Sequence, residues 1–196
     1  MNNLREEAEE LREPNHEINN LIYQRWSPRG LGTNMSEEDL MSLFEAASWA
    51  PSSYNNQSWR FVYATHEDEE FEDFEGFLGD FNQQWAENGY ALIVVVSKTT
   101  FNHNDEFSRT HSFDTGAAWQ NFALEAADRG LAAHGMEGFD YEEAAEHLDI
   151  PEEYEIEMMI AVGSWEGEED LPENFRVKPN HRKDLDEITC KGSFDF

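Results

Sequence analysis

The sequence predicts an α+β fold with a sheet of four or five strands flanked by helices. Two short apolar runs, 91–97 (ALIVVVS) and 156–163 (IEMMIAVG), are typical of strands that are buried on both faces. Two longer segments, 36–49 and 113–129, carry apolar residues at helical spacing. Strands that alternate with amphipathic helices along the chain indicate a sheet with helices packed against it.

The length of the chain favours one domain. Its 196 residues are enough for one substantial core and few for two. Residues 1–15 form a separate N-terminal arm or helix in this prediction, because Leu4, Ala8 and Leu11 give only a weak helical pattern before Pro14. Residues 16–196 form the single domain.

The charge is strongly negative, with 43 acidic and 13 basic residues and a net charge of −30. Such an excess repels nucleic acid and anionic membranes, so we expect neither as a partner. The acids are spread over the whole chain, which favours adaptation to high salt, where the Debye length falls to about 3 Å. An acidic binding module that mimics nucleic acid or recruits a basic partner is the alternative.

The cysteine content and the N-terminus limit the class further. Cys190 is the only cysteine, which excludes an internal disulfide and a thiolate cluster, and we expect no metal site. No basic-then-apolar signal is present, and no apolar run approaches the ~20 residues that span a membrane. We therefore expect a cytoplasmic protein.

The middle of the chain supplies further helices. Ser36 followed by three acids predicts a capped helix start, and the alternation of Trp59, Phe61 and Tyr63 predicts a strand. The stripe of aromatic residues in 67–85 predicts one charged helix, which could shape a substrate pocket. His103 and His111 lie eight residues apart in a polar stretch, a spacing that favours solvated loop histidines over metal ligands.

The segment Ala50–Phe61 (APSSYNNQSWRF) is the first candidate binding site. Its hydroxyls and side-chain amides, from Ser52, Ser53, Asn55 and Gln57, offer donors and acceptors to a planar polar ligand. A polar turn that caps the following strand is the alternative interpretation.

Two basic clusters are the second candidate. Arg25, Ser27 and Arg29 form a possible phosphate clamp, because guanidinium groups pair bidentately with phosphate oxygens. Near the C-terminus, Arg182 and Lys183 end a group of four cations that also includes Arg176 and Lys178. Solvated charges that balance nearby acids would also explain both clusters.

The order of these motifs resembles that of the FMN-dependent nitroreductase family. The resemblance covers residues 16–190 and includes the N-terminal basic clamp, Pro51-Ser52-Ser53-x-Asn55-x-Gln57 and the C-terminal basic pair. It also includes Arg129-Gly130-Leu131, then His134-x-Met136, then Gly138-Phe139-Asp140, in a loop whose backbone at Glu137 and Gly138 approaches the flavin N5 in that family. His134 itself is interpreted as a structural histidine.

The resemblance implies an intertwined homodimer with a mainly antiparallel sheet and FMN at the interface. It implies hydride transfer by a ping-pong mechanism, from NADH or NADPH through flavin N5 to a nitroaromatic or quinone. No catalytic side chain is assigned, and Arg29 is placed near the flavin N1 edge. A dehalogenase, a dehydrogenase or a flavin-cleaving enzyme of the same fold remains an alternative. The predicted cofactor-binding residues are Arg25, Ser27, Arg29, Pro51, Ser52, Ser53, Asn55, Gln57, Glu137, Gly138, Arg182 and Lys183.

Overall fold

The computed structural model describes residues 4–195 and contains a five-stranded antiparallel sheet. Every strand pair within these residues is antiparallel, and the order across the sheet is β4, β5, β3, β2. Ser164 of β5 pairs with Leu131 of β4 on one side and with Gly32 of β1 on the other. The short β1 therefore lies on the same side of β5 as β3 and continues the line of that strand. The strands are β1 (Leu31–Gly32), β2 (Trp59–Thr65), β3 (Ala91–Lys98), β4 (Leu131–Met136) and β5 (Tyr154–Trp165).

Helices cover both faces of the sheet, which confirms the predicted α+β class. Alternate residues of β3 point to opposite faces, so Ile93 and Val95 join one core cluster and Leu92 and Val94 join the other. The helices are α1 (Leu4–Leu11), α2 (Asn20–Gln24), α3 (Glu37–Ser48), α4 (Phe71–Phe77), α5 (Asp80–Ala86), α6 (His111–Asp128) and α7 (Tyr141–His147). Helices α3 and α6 pack on the first face, and α1, α4, α5 and α7 pack on the second. The predicted homodimer stays a prediction.

The start of α3 confirms the predicted capping box. The Ser36 hydroxyl accepts a hydrogen bond from the Asp39 amide at 3.1 Å, and the Ser36 amide donates to the Asp39 carboxylate at 3.3 Å. Both bonds satisfy backbone donors that a helix start would otherwise leave unpaired. The helix runs to Ser48 and delivers the chain into the polar segment 50–57.

The N-terminal segment is a packed helix. Leu4 and Ala8 on α1 are buried, and the Trp26 indole donates to the Leu4 carbonyl at 2.9 Å. These contacts attach α1 to the stretch that carries the first basic cluster. Within residues 4–195, no helix has both the length and the apolar character that crossing a bilayer requires.

The prediction of one helix over residues 67–85 is wrong. The stripe is divided between α4 and α5, and the break falls at Leu78 and Gly79. The Gly79 amide donates to the Gly138 carbonyl at 3.1 Å, and Leu78 forms a β-bridge with Phe139. This tertiary pairing replaces the helical hydrogen bonds, although the aromatic residues keep their spacing.

Two further expectations need correction. His134 and Met136, predicted in a loop, lie in the edge strand β4, and the loop begins only at Glu137. His111, predicted to be solvated, is buried at the start of α6, where its Nδ1 lies 2.7 Å from the Ser97 hydroxyl. The polar stretch before it ends in a helix start that packs on β3, which the sequence pattern does not reveal.

Candidate active site

A basic cavity of about 300 Å³ lies beside β4. Four of the chain's 13 basic residues line it, together with a serine hydroxyl and an asparagine. Within residues 4–195, none of these four cations forms an ion pair with a carboxylate. The lining residues are Arg12, Arg25, Trp26, Ser27, His134, Val177, Lys178, Asn180 and Arg182.

Arg25 is the most informative of these four cations. Its Nη1 donates to the Ser27 hydroxyl at 3.3 Å, and its buried Nε has no hydrogen-bond partner within the described residues. Burial lowers the pKa of Arg25, and the charge of Arg182 lowers it further. A buried guanidinium with a free donor and a like charge nearby is stabilised by an anion.

Arg12 is a cavity residue that the sequence did not reveal. Its guanidinium donates to the carbonyls of Tyr23 and Arg25, each at 2.8 Å, and to the carbonyl of Asn180 at 2.8 Å. Burial, with help from Arg182 and Arg25, lowers the pKa of Arg12 to about 10. The residue therefore joins the N-terminal basic stretch to the C-terminal segment and adds a charge. Only the scarcity of cations in this chain could have singled it out.

Arg29 lies outside the lining of the cavity. Its guanidinium lies over the rings of Phe81 and Trp85, at 4.9 and 5.5 Å from their centroids, and Nη1 donates to the Phe175 carbonyl at 3.3 Å. Its Nε is buried and has no partner within residues 4–195. Burial lowers the pKa of Arg29, and the nearby charge of Glu168 partly opposes this effect.

The C-terminal cations divide between two cavities. Lys178 and Arg182 line the basic cavity, and the Arg182 guanidinium donates to the Asn180 side chain at 2.8 Å. Lys183 lines an adjoining cavity of about 510 Å³, which shares Arg182 with the first. Arg176 points elsewhere and donates to backbone carbonyls of the preceding loop. Lys178 is thus more central than the sequence suggested.

His134 closes the side of the cavity next to β4. Its Nδ1 lies 2.9 Å from the Pro28 carbonyl, and its ring centroid lies 4.6 Å from that of Trp85. Burial lowers the pKa of His134 to about 4, so the ring is neutral near pH 7 and Nδ1–H donates to Pro28. This geometry agrees with a structural histidine that holds the basic stretch against the sheet.

The polar segment 50–57 adopts a strained backbone. Tyr54, Asn55 and Gln57 have positive φ angles of 53°, 53° and 49°. The Gln57 amide donates to the Ser52 hydroxyl at 3.1 Å, and the Gln57 side chain donates to the Asn55 carbonyl at 3.2 Å. Such conformations cost free energy, and they cluster at binding sites where the surrounding structure maintains them.

Two residues that the sequence did not single out hold this strained segment. The Asp114 carboxylate accepts the Ser53 amide at 3.0 Å, and the buried Asn56 donates to the Thr100 carbonyl at 3.1 Å. Asn56 also accepts the Asn102 amide at 2.8 Å. Pro51, Asn55 and Gln57 remain exposed, so the segment presents polar groups outward.

The two halves of the predicted site lie at opposite edges of the sheet. The polar segment leads into β2 at one edge, and the basic cavity adjoins β4 at the other. Three strand spacings separate these edges, a distance of about 14 Å. None of the residues 50–57 lines the basic cavity, so a single chain does not bring the two halves together.

The loop after β4 brings backbone close to α5. The Gly138 carbonyl accepts the Gly79 amide at 3.1 Å and the Asn82 side chain at 3.0 Å. A Cβ at position 138 would lie 2.8 Å from Asn82 Nδ2, so a side chain there would force Asn82 aside. Glu137 and Gly138 belong to the same edge of the sheet as the basic cavity.

A family model described as the nitroreductase family matches residues 22–78 and 73–164, which together span most of the chain. The chain belongs to the nitroreductase family. This membership confirms the resemblance inferred from the motifs.

Individual relatives agree with this membership. A solved oxidoreductase described as containing FMN is 37% identical, and the match covers 94% of this chain and 96% of that one with a TM-score of 0.89. Protein DrgA of Synechocystis is 28% identical over 86% of this chain and 93% of its own length. MhqN of Bacillus subtilis, named as an inferred NAD(P)H nitroreductase, is 23% identical over 84% of this chain and 96% of its own length.

Proposed function

We propose that this nitroreductase transfers hydride from NAD(P)H, through FMN, to an organic acceptor such as a nitroaromatic or a quinone. Its family makes the chain an FMN-dependent oxidoreductase, and the 37% identical structure that contains FMN supports this assignment. The name of MhqN supports NAD(P)H as the donor. The observation that carries the proposal is the basic cavity, where four cations gather without carboxylate partners in the described chain.

The residues of this cavity fit the phosphate of FMN. A phosphate ester offers several strong acceptors and a charge near −2, and Arg25, Arg182 and Lys178 supply the opposing charge. The free Nε of Arg25 and the hydroxyl of Ser27 supply directed donors. The chain has a net charge of −30 and repels anions over most of its surface. A local concentration of cations, as in this cavity, is therefore needed to bind an anion.

The isoalloxazine ring requires the polar segment of a second copy of this chain. Residues 50–57 lie at the opposite edge of the sheet, so the partner of an isologous dimer would supply them. Trp49, Tyr54 and Phe113 are 78%, 80% and 81% exposed around this segment. Exposed aromatic side chains of this kind favour a contact with another protein surface.

Bound FMN would supply the redox chemistry by accepting hydride and passing it on. The chain's own residues would bind and orient the cofactor: Arg25, Arg182 and Lys178 would hold the phosphate, and the side-chain amides of Asn55 and Gln57 would offer hydrogen bonds to the polar edge of the ring. The backbone of Glu137 and Gly138, at the β4 edge of the sheet, would offer hydrogen-bond donors to the flavin. Release of the oxidised nucleotide before the acceptor binds would give the ping-pong scheme.

The anaerobic visible spectrum of the purified protein tests this function. We expect bands at about 370 and 450 nm after reconstitution with FMN, and bleaching of the latter band by NADH or NADPH. Addition of a quinone or nitroaromatic should restore the band. A folded protein that takes up no FMN, or holds FMN that neither nucleotide reduces, would contradict the proposal.

A further inference from the structure

Glu168 is a buried carboxylate beside the basic cavity that forms no part of its lining. It follows β5 and is 8% exposed. One carboxylate oxygen accepts the Arg29 amide at 2.7 Å and the Gly30 amide at 3.2 Å. The other oxygen accepts the Val177 amide at 2.9 Å. Both oxygens are therefore used by backbone donors from two distant parts of the chain.

These two parts carry three of the four cations of the cavity. The first basic stretch, with Arg25 and Ser27, leads directly into the Arg29 amide. The C-terminal segment, with Lys178 and Arg182, begins directly at the Val177 amide. Glu168 thus connects the two stretches.

Arg12, which lines the cavity, makes a second connection. Arg12 donates both to the Arg25 carbonyl and to Asn180, so it joins the same two stretches. Arg12 brings a positive charge to the cavity, whereas Glu168 brings a negative one. The negative charge opposes anion binding, so a favourable contribution from Glu168 can come only from the hydrogen bonds that it accepts.

We propose that Glu168 is a positioning residue that sets the affinity for the flavin phosphate by holding the two cation-bearing stretches in a fixed position relative to each other. The proposal rests on the function proposed above. Glu168 contacts the backbone of Arg29, Gly30 and Val177 and is not among the residues that line the basic cavity. Its loss would let the C-terminal segment move away and take Lys178 and Arg182 with it.

The test compares Glu168→Gln with Glu169→Gln, a change of the same kind at an exposed neighbour. The dissociation constants for FMN and for riboflavin, which lacks the phosphate, are measured by flavin fluorescence. In E168Q we expect FMN to bind about tenfold more weakly, because an amide nitrogen replaces one acceptor. Riboflavin affinity should change less than about twofold, since only the phosphate contacts depend on the relative position of the two stretches.

The sign of the change separates positioning from charge. If Glu168 acted only through its charge, E168Q would bind FMN more tightly than the wild type, and this result would overturn the proposal. Equal losses for FMN and riboflavin would also overturn it, because they would indicate general destabilisation. The control E169Q should keep both affinities.

Amide hydrogen exchange in the FMN-free protein tests the role of Glu168 separately from cofactor binding. Hydrogen exchange of the Val177 amide, or of the Arg29 and Gly30 amides, should be at least about tenfold faster in FMN-free E168Q, because glutamine keeps only one acceptor oxygen for these two groups of donors. Unchanged exchange would contradict the proposal even if the wild type failed to bind FMN. Where E168Q does not fold, Glu168→Asp keeps the charge on a shorter side chain and should show the same faster exchange and selective FMN loss.

Discussion

Replacement of Arg25 by glutamine should weaken FMN binding by about 10- to 100-fold, the range expected for loss of a charged hydrogen-bond donor. The guanidinium lies in the basic cavity, and its Nε has no partner in the described chain. The same change should leave the FMN-free protein as stable as the wild type or slightly more stable. Burial and Arg182 both lower the pKa of Arg25, which shows that its charge is unfavourable without an anion.

Two titrations measure the effects of Arg25→Gln. Flavin fluorescence gives the FMN affinity, and denaturant unfolding without FMN gives the free energy of unfolding. Arg109→Gln is the matched control, because Arg109 is exposed and lies outside the cavity. If R25Q bound FMN as tightly as R109Q, the basic cavity would not be the phosphate site.

Replacement of Gly30 by alanine should lower the free energy of unfolding by about 2–3 kcal/mol, a cost typical of overpacking against rigid structure. A Cβ at position 30 would lie 1.7 Å from the Gly167 carbonyl oxygen. The position of a Cβ is fixed by the backbone, and the carbonyl is itself backbone, so no side-chain rotation relieves the overlap. The strand pairing of β1 with β5 and the adjoining bonds to Glu168 must therefore shift.

Gly76→Ala provides a control of opposite sign. Gly76 lies within α4, and a Cβ there meets no atom within 4 Å among the described residues. Alanine should stabilise the helix by about 0.5–1 kcal/mol, because it loses less conformational entropy than glycine on folding. Thermal and denaturant unfolding of both variants measure the difference. A G30A protein as stable as G76A would show that segments 30 and 167 do not meet as the structure has them.

Much of the fold could be predicted from local patterns. The apolar runs of β3 and β5 and the capping box of α3 are local signals, and the structure has them at nearly the predicted positions. The break between α4 and α5 could not be predicted, because the pairing of Gly79 with Gly138 joins residues far apart in sequence. The aromatic spacing alone continues through the break.

The candidate site likewise combines residues that the sequence predicts with residues that it does not predict. Arg25 and Ser27 are close in the sequence and meet in the cavity, so the sequence motif alone could predict that they act together. Arg12 and Glu168 lie among many acidic residues and have no local pattern, and their roles follow from backbone groups brought near by the fold. The burial of His111 likewise depends on how the start of α6 packs on β3.

The central claim is that each flavin site needs the basic cavity of one chain and the polar segment of another. Co-expression of two defective variants tests it: Arg25→Gln, and a double variant Asn55→Gly with Gln57→Gly. Glycine tolerates the positive φ of both positions, so the double variant removes the amides and keeps the backbone.

In a mixed dimer, one site then receives both defects and the other receives neither. We expect up to about a quarter of the wild-type FMN content and NAD(P)H oxidation in a random mixture, measured at an FMN concentration where each variant alone binds little FMN. Recovery of this size would establish a site shared between two chains. Absence of any recovery from folded, mixed dimers would mean that one chain holds the whole site, and it would contradict the account.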